Sequence, residues 1–177
     1  MNNVISVVNR QQAQLVEDKW QILDVFSEHH KPQDVNSLDQ LVIPFEPWLA
    51  AYNSGLLQAY FEDIQAFSID NSSDVNELKP WLNQLKLIVL DFPKFTDGRA
   101  YTQAVELRRY LGWQGELRAN GDVLRDQLSH MLRCGFDSFA IREDKDPNEA
   151  LKGLSGISVL YANSVLEPQP LFRRRAL

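Results

Sequence analysis

Cysteine is nearly absent from this sequence, which has one, Cys134, in 177 residues. A single thiol cannot form an intrachain disulfide, and it cannot supply the four thiolates that hold an iron–sulfur cluster. Such low cysteine usage is typical of a reducing compartment, and we expect a cytoplasmic protein. The chain also has no run of about 20 apolar residues that would cross a bilayer, so no membrane-spanning helix is predicted.

Motifs that hold cofactors through glycine or cysteine are missing as well. None of the 8 glycines forms a G-x-G-x-x-G turn after a strand or a P-loop, and there is no C-x-x-C pair. The sequence therefore assigns no cofactor. Redox chemistry in this chain would need a flavin or nicotinamide held without a standard motif, or a redox centre that belongs to a partner.

Positive charge is the scarcer sign, with 18 lysines and arginines against 24 aspartates and glutamates and a net charge of −6. An isoelectric point near 5.0 argues against general nucleic-acid binding. The apolar content of 44% and the charged content of 24% are typical of a globular protein. A chain of this length buries one substantial core, and we expect a single domain over residues 1–177.

Strand and helix patterns alternate between residues 64 and 161. The continuous apolar run Leu87-Ile88-Val89-Leu90 is typical of a strand covered on both faces. Further strands are predicted at 64–69, 115–119, 136–141 and 157–161, with helices at 74–84, 99–111, 122–134 and from 146 onward. This spacing predicts an α/β fold whose mainly parallel sheet is built from consecutive βα units. An open sheet is the favoured arrangement, and a half-barrel is the alternative.

The two ends of the chain differ from this core. Residues 1–40 are expected to form a hairpin-rich extension that adds antiparallel strands, with a strand at 4–9 and a hairpin joining 14–16 to 20–23. A strand at 41–43 and a helix over 48–60 follow. Residues 167–177 contain two prolines and three consecutive arginines, and we expect an extended basic tail.

Basic residues lie in or just after three neighbouring strands of the predicted sheet. They are Lys94, Arg99, Arg118 and Arg142. In parallel α/β proteins, ligands bind beyond the carboxyl ends of the strands. Guanidinium groups near helix N-termini suit a small oxyanion such as sulfite, sulfate or phosphate, and we expect these four residues to bind it. The alternative is that they pair with neighbouring carboxylates and brace the loops.

Asp97 and Asp122 lie in the same loops and are the candidate catalytic residues. A carboxyl group next to a bound oxyanion could carry protons to or from it.

Two close pairs of residues are further candidate sites. Glu116 and Arg118, two apart on a strand, point to the same face, which indicates either an edge strand or a polar cavity, with the edge strand favoured. His130 and Cys134, four apart on a helix, could touch as a nucleophile pair or as two metal ligands. Two ligands do not make a zinc site, and no metal is predicted.

The arginines of the C-terminal tail form the last candidate site. Arg173, Arg174 and Arg175 could dock on an acidic partner surface, because basic clusters speed and orient association. The alternative is a solvated terminus without a function.

Several segments resemble one bacterial family. They are the run LDFPKFTDGR at 90–99, Leu107-Arg108 with Gly112, the run GELRANGDVL at 115–124 with Asp126-Gln127, the run CGFD at 134–137 and the ending PLFRRR at 170–175. They are similar to a domain-of-unknown-function family whose members are described as oxidoreductases involved in sulfite reduction. The similarity covers roughly residues 41–175.

The resemblance implies a role in sulfate assimilation. Members of that family tend to be encoded beside the sulfite/nitrite reductase haemoprotein, and no catalytic residue carries over from them. We therefore expect an accessory or partner protein of assimilatory sulfite reduction that docks on sulfite reductase. The alternatives are a small oxidoreductase acting on a sulfur oxyanion, with a non-standard flavin or nicotinamide site, and an anion-binding sensor. A homodimer is expected from base rates alone.

Overall fold

A curled sheet of eight strands organises the computed structural model, which describes residues 3–8, 12–24, 26, 40–57, 64–154 and 161–174. The strands are β1 (Val4–Val8), β2 (Gln12–Val16), β3 (Gln21–Ile22), β4 (Leu41–Pro44), β5 (Ala66–Ile69), β6 (Leu87–Phe92), β7 (Glu116–Gly121) and β8 (Ser138–Ala140). The helices are α1 (Phe45–Asn53), α2 (Arg99–Val105), α3 (Leu128–Cys134), α4 (Pro147–Leu151) and α5 (Leu171–Arg174). None of the helices over these residues has the length and apolar character that spanning a bilayer requires.

The strand order makes the sheet a half-barrel. Strands β3 to β8 lie side by side in chain order and are parallel, while β1 pairs antiparallel with both β8 and β2. When parallel strands are neighbours in chain order, crossovers of a single hand place the connecting helices on one face of the sheet, as in a barrel. The predicted α/β class, the mainly parallel sheet and the antiparallel N-terminal strands are confirmed, and the curl is that of the half-barrel alternative.

The two faces of the sheet have different surroundings. The outer face, which the helices cover, carries fully buried side chains such as Phe67, Ile88 and Phe139 and forms the main core. The inner face carries a smaller apolar cluster, Val42, Ala66, Leu87 and Val89, against which Trp20 and Ile22 pack. The segment between β2 and β3 therefore covers part of the inner face.

Several predicted elements differ from the observed ones. Strand β2 pairs with β1, and β3 runs parallel to β4, so the hairpin expected between 14–16 and 20–23 does not form. The helix expected over 74–84 is a single 3-10 turn, Val75–Leu78, because Pro80 cannot donate a hydrogen bond within a longer helix. The segment expected to be an extended tail contains the short helix α5. The strand expected at 157–161 falls largely outside the described residues.

A buried ion-pair network occupies the middle of the inner face. Strand β7 is central, between β6 and β8, so the expectation that Glu116 and Arg118 mark an edge strand is wrong. Arg118 is 3% exposed, and its Nη1 donates to both carboxylate oxygens of Asp18 at 2.8 and 2.9 Å. Its Nη2 donates to Glu116 at 3.0 Å, and the Ser138 hydroxyl donates to the same carboxylate at 2.5 Å. These contacts tie the segment between β2 and β3 to the centre of the sheet.

We predict that Asp18→Ala destabilises the fold by about 1–3 kcal/mol, because it leaves the buried Arg118 guanidinium with one carboxylate fewer. Urea unfolding followed by tryptophan fluorescence measures this change. Glu149→Gln is the control, since the ion pairs of Glu149 with Lys152 and Arg125 are exposed, and its effect should stay within about 0.5 kcal/mol. Equal unfolding midpoints for the two variants would contradict the prediction.

Candidate functional site

The carboxyl ends of three adjacent strands form the candidate site. Loop 93–98 follows β6, loop 122–124 follows β7 and loop 141–146 follows β8. These strands are parallel neighbours, so the three loops meet at one edge of the sheet, which we call the rim. The rim is where ligands bind in parallel α/β folds.

Gly121 allows the first two loops to approach each other closely. Its φ is +93°, and a Cβ atom at this position would lie 2.5 Å from the Phe92 carbonyl oxygen. The next amide, that of Asp122, donates to the same oxygen at 2.7 Å. Glycine is therefore needed here both for its backbone conformation and for the space.

Loop 93–98 is held in place by two side chains, those of Asp122 and Gln127, that follow β7 in the chain. The Phe95 amide donates to Asp122 Oδ2 at 2.9 Å, and Gln127 Nε2 donates to the Phe95 carbonyl at 3.1 Å. Both main-chain polar groups of Phe95 are thus satisfied, while its side chain remains 50% exposed. The loop presents an aromatic ring to solvent on a fixed backbone.

The arginines of the rim are paired with carboxylates. Arg99 binds Asp97 at 2.7 Å, and Arg142 binds Asp122 at 2.6 Å and Asp144 at 2.5 Å. Hydrogen bonds from Arg99 hold the pKa of Asp97 well below its usual range. The Phe95 amide, and then Arg142, lower the pKa of Asp122 in the same way. Both carboxyls are therefore ionised at neutral pH and act as acceptors within the loops.

The structure brings together five of the residues that the sequence singled out. Lys94, Asp97, Arg99, Asp122 and Arg142 all lie at the rim. Arg118 does not, because it is buried on the inner face beneath Asp18. Arg173 and Arg174 lie in α5, away from the rim, and Arg175 falls outside the described residues. The roles assigned to these residues in anion binding, catalysis and docking stay predictions.

Asp91 is a candidate that the sequence reasoning missed. It lies on the inner face near the end of β6, opposite Asn120 of β7, whose amide nitrogen is 3.5 Å from its carboxylate. Burial raises the pKa of Asp91, and the Asp70 carboxylate adds to this, although the bond from Asn120 opposes it. A cavity of about 500 Å³ lies beside Asn120 and Arg142. The sequence did contain a signal for this position. Side chains alternate between the two faces of a strand, so Asp91 shares the face of Val89, two residues before it.

His130 and Cys134 touch but are not arranged for chemistry. The Cys134 sulfur is 3.8 Å from His130 Nε2, and the Tyr101 ring packs on the imidazole at 4.7 Å. Burial raises the pKa of the thiol and lowers the pKa of the imidazole, so both groups are neutral at pH 7. Among the residues with described positions, no three His, Cys, Asp or Glu side chains are grouped to hold a metal ion.

We predict that Asp122→Ala frees the backbone of loop 93–98. The Phe95 amide loses its carboxylate acceptor, and its protection from hydrogen exchange should fall about tenfold or more. Amide exchange measured by NMR tests this. Asp144→Ala is the control, because it removes a partner of Arg142 without touching Phe95. Equal protection of Phe95 in the two variants would show that Asp122 does not hold the loop.

We predict that Asp91→Asn stabilises the protein at neutral pH. The carboxyl pKa is raised in the folded state, so ionised Asp91 opposes folding at pH 7 and ceases to do so as the pH falls towards its unfolded value of about 3.9. The variant's advantage in free energy of unfolding should therefore vanish between neutral pH and about pH 4. Denaturant unfolding across this range measures it, and a difference independent of pH would contradict the assignment.

Comparison with known proteins connects the rim to one family. No protein of curated function matches the chain. Residues 66–172 match the model of the family described as "Bacterial protein of unknown function (DUF934)". This region is more than half of the chain, and it runs from the start of β5 into α5, so it includes all three rim loops. The chain therefore belongs to this bacterial family.

Proposed function

We propose that this protein is an accessory protein of assimilatory sulfite reduction, and that it docks on the sulfite reductase haemoprotein rather than turning over a substrate itself. The link to sulfite reduction rests on the resemblance of segments 90–99, 115–124 and 134–137 to a family associated with that enzyme. The choice of a docking role over a catalytic one rests on the geometry of the rim.

The braced loop 93–98 is the observation that carries the docking role. Asp97 and Asp122 were candidates for proton transfer, but both are held ionised within the loops by Arg99, Arg142 and the Phe95 amide. Their charges stabilise the position of Phe95, whose ring is half exposed beside the exposed Lys94. An aromatic side chain on a preorganised backbone loses little entropy on binding and is typical of an interface anchor.

The small-anion site at the rim is a second part of the proposal. Lys94 is exposed and has no ion-pair partner among the described residues, whereas Arg99 and Arg142 are each paired with carboxylates. An oxyanion would therefore bind through Lys94 and would have to compete with Asp97 for Arg99. Sulfite or sulfate binding that is lost in both Lys94→Ala and Arg99→Ala would support this site.

A second candidate function is a small oxidoreductase acting on a sulfur oxyanion. The observation that favours it is Asp91, a half-buried carboxyl with a raised pKa at the carboxyl end of a central strand. A group of this kind is found more often in proton-transfer sites than on ordinary surfaces. Turnover of sulfite with a flavin or nicotinamide, abolished by Asp91→Asn, would support this candidate over the accessory role.

We predict that the purified protein co-elutes with its cognate sulfite reductase haemoprotein in gel filtration at low salt. Phe95→Ala should weaken the complex at least tenfold, because about 1.4 kcal/mol or more is typical of an aromatic anchor. Leu56→Ala is the matched control, since Leu56 is 56% exposed and lies outside the rim. Titration calorimetry gives the affinities. Separate elution of the wild-type protein would overturn the proposed function, and equal affinities of the two variants would exclude the rim as the docking site.

A further inference from the structure

The end of the sheet opposite the rim carries a second surface, built from the C-terminal segment. The Val165 amide donates to the Arg133 carbonyl at 3.0 Å, and the Leu171 amide donates to the Tyr161 carbonyl at 3.0 Å. Arg133 lies at the end of α3, just before β8 begins, so this segment packs at the amino-terminal end of the strands. It is folded against the domain, with Arg174 bound to Glu167 at 2.8 Å.

A π-helical turn supplies the other part of this surface. Helix α2 continues as a π-helix over Glu106–Tyr110, and its central Arg108 turns inward. Arg108 donates to the carbonyl oxygens of Trp113, Gly115 and Gly135 at 2.8–2.9 Å and pairs with Asp137. Because this side chain is fixed at four points, the two residues that follow it are held outward on a rigid backbone.

Those two residues are Arg109 and Tyr110. Arg109 is exposed, and Tyr110 is 79% exposed, more than any other large apolar side chain described in the structure. A cavity of about 420 Å³ joins Arg109 to the C-terminal segment and is lined by Arg108, Arg109, Gln114, Val165 and Pro168. Tyr110, the next residue, lines a neighbouring cavity together with Lys79 and Gln114. We call this surface, consisting of Arg109, Tyr110, Gln114 and residues 165–174, the end face.

The charge of the end face is opposite to that of the whole protein. Within the end face, Arg109, Arg173 and Arg174 outnumber the one carboxylate, Glu167, whereas the chain carries a net charge of −6. Phe172, which also belongs to the end face, is 55% exposed, and the Arg173 guanidinium lies 5.9 Å from its ring centre. The described residues thus concentrate positive charge and aromatic area on one face of an acidic molecule.

We infer that the end face is a docking surface for an acidic protein surface, with Arg109 and Tyr110 as its anchors. Carboxylates of the partner would pair with Arg109 and Arg173, and an apolar side chain would pack on Tyr110, as arginine and tyrosine do at interface hot spots. Nucleic acid fits less well, because its backbone charge would meet a protein of net charge −6. The partner of the end face is identified by its chemistry, an acidic protein surface, whereas the reductase of the proposed function is assigned to the rim.

We predict that the full-length protein binds poly-L-glutamate, the probe for an acidic surface, and that NMR shifts on titration map to Arg109, Tyr110 and α5. Arg109→Glu should lower this affinity at least tenfold, and Arg109→Lys should retain most of it. Arg125→Glu is the matched control, since Arg125 is an exposed arginine outside the end face, and its effect should be less than twofold. Thermal unfolding checks that each variant is folded.

Each outcome of this experiment has a distinct meaning. Unchanged affinity in Arg109→Glu, shifts that map to the rim, or tighter binding of single-stranded DNA than of poly-L-glutamate would overturn the inference. The same variants are then titrated into the sulfite reductase haemoprotein. Binding of poly-L-glutamate through Arg109 without binding of the reductase would overturn the proposed function and leave the end face standing. Binding of the reductase that Arg109→Glu weakens tenfold would contradict the rim as its docking site and would place the reductase on the end face.

Discussion

The contact between Arg118 and Asp18 is the interaction on which the rest of this structure depends. In a closed barrel, side chains from opposite strands fill the interior, but a half-barrel has no opposite wall. Here the segment between β2 and β3 takes that place, with Trp20 over the apolar cluster and Asp18 on the buried guanidinium. A buried ion pair is a weak source of stability but can determine register, because displacing Asp18 leaves the buried guanidinium with Glu116 as its one carboxylate partner. It therefore fixes how the N-terminal strands join the sheet.

Strand direction separates the two candidate surfaces. Because β5 to β8 are parallel, the loops that carry Phe95 and the paired arginines meet at one end, and the loops before the strands meet at the other. Each surface is supported by an arginine whose guanidinium is already paired within the protein. Arg142 pairs with Asp122 behind Phe95, and Arg108 donates to the backbone of the turn behind Tyr110. In both cases the hydrogen bonds of a charged residue hold the backbone behind an exposed aromatic ring and so fix the position of the ring.

Local patterns predicted the parts of the fold that local contacts determine. The apolar run of β6 was sufficient to predict that strand, and the clustering of Lys94, Arg99 and Arg142 followed from the parallel direction of neighbouring strands. The features that the sequence did not predict are contacts between distant parts of the chain. The pairing of β1 with β8, and of Asp18 with a residue 100 positions away, leaves no periodic signal. The helix expected over 122–134 begins later, with α3 at Leu128, and the Asp122 carboxylate accepts the Phe95 amide.

The π-helix at Glu106–Tyr110 has a consequence for how this protein tolerates changes in chain length. A π-turn contains one residue more than an α-turn, so deleting one residue there would restore an ordinary helix. Every side chain beyond the deletion would then rotate by about 100° relative to α2. The inward guanidinium of Arg108 would leave three carbonyls and Asp137. At this position the residue count, rather than residue identity alone, is the quantity on which the fold depends.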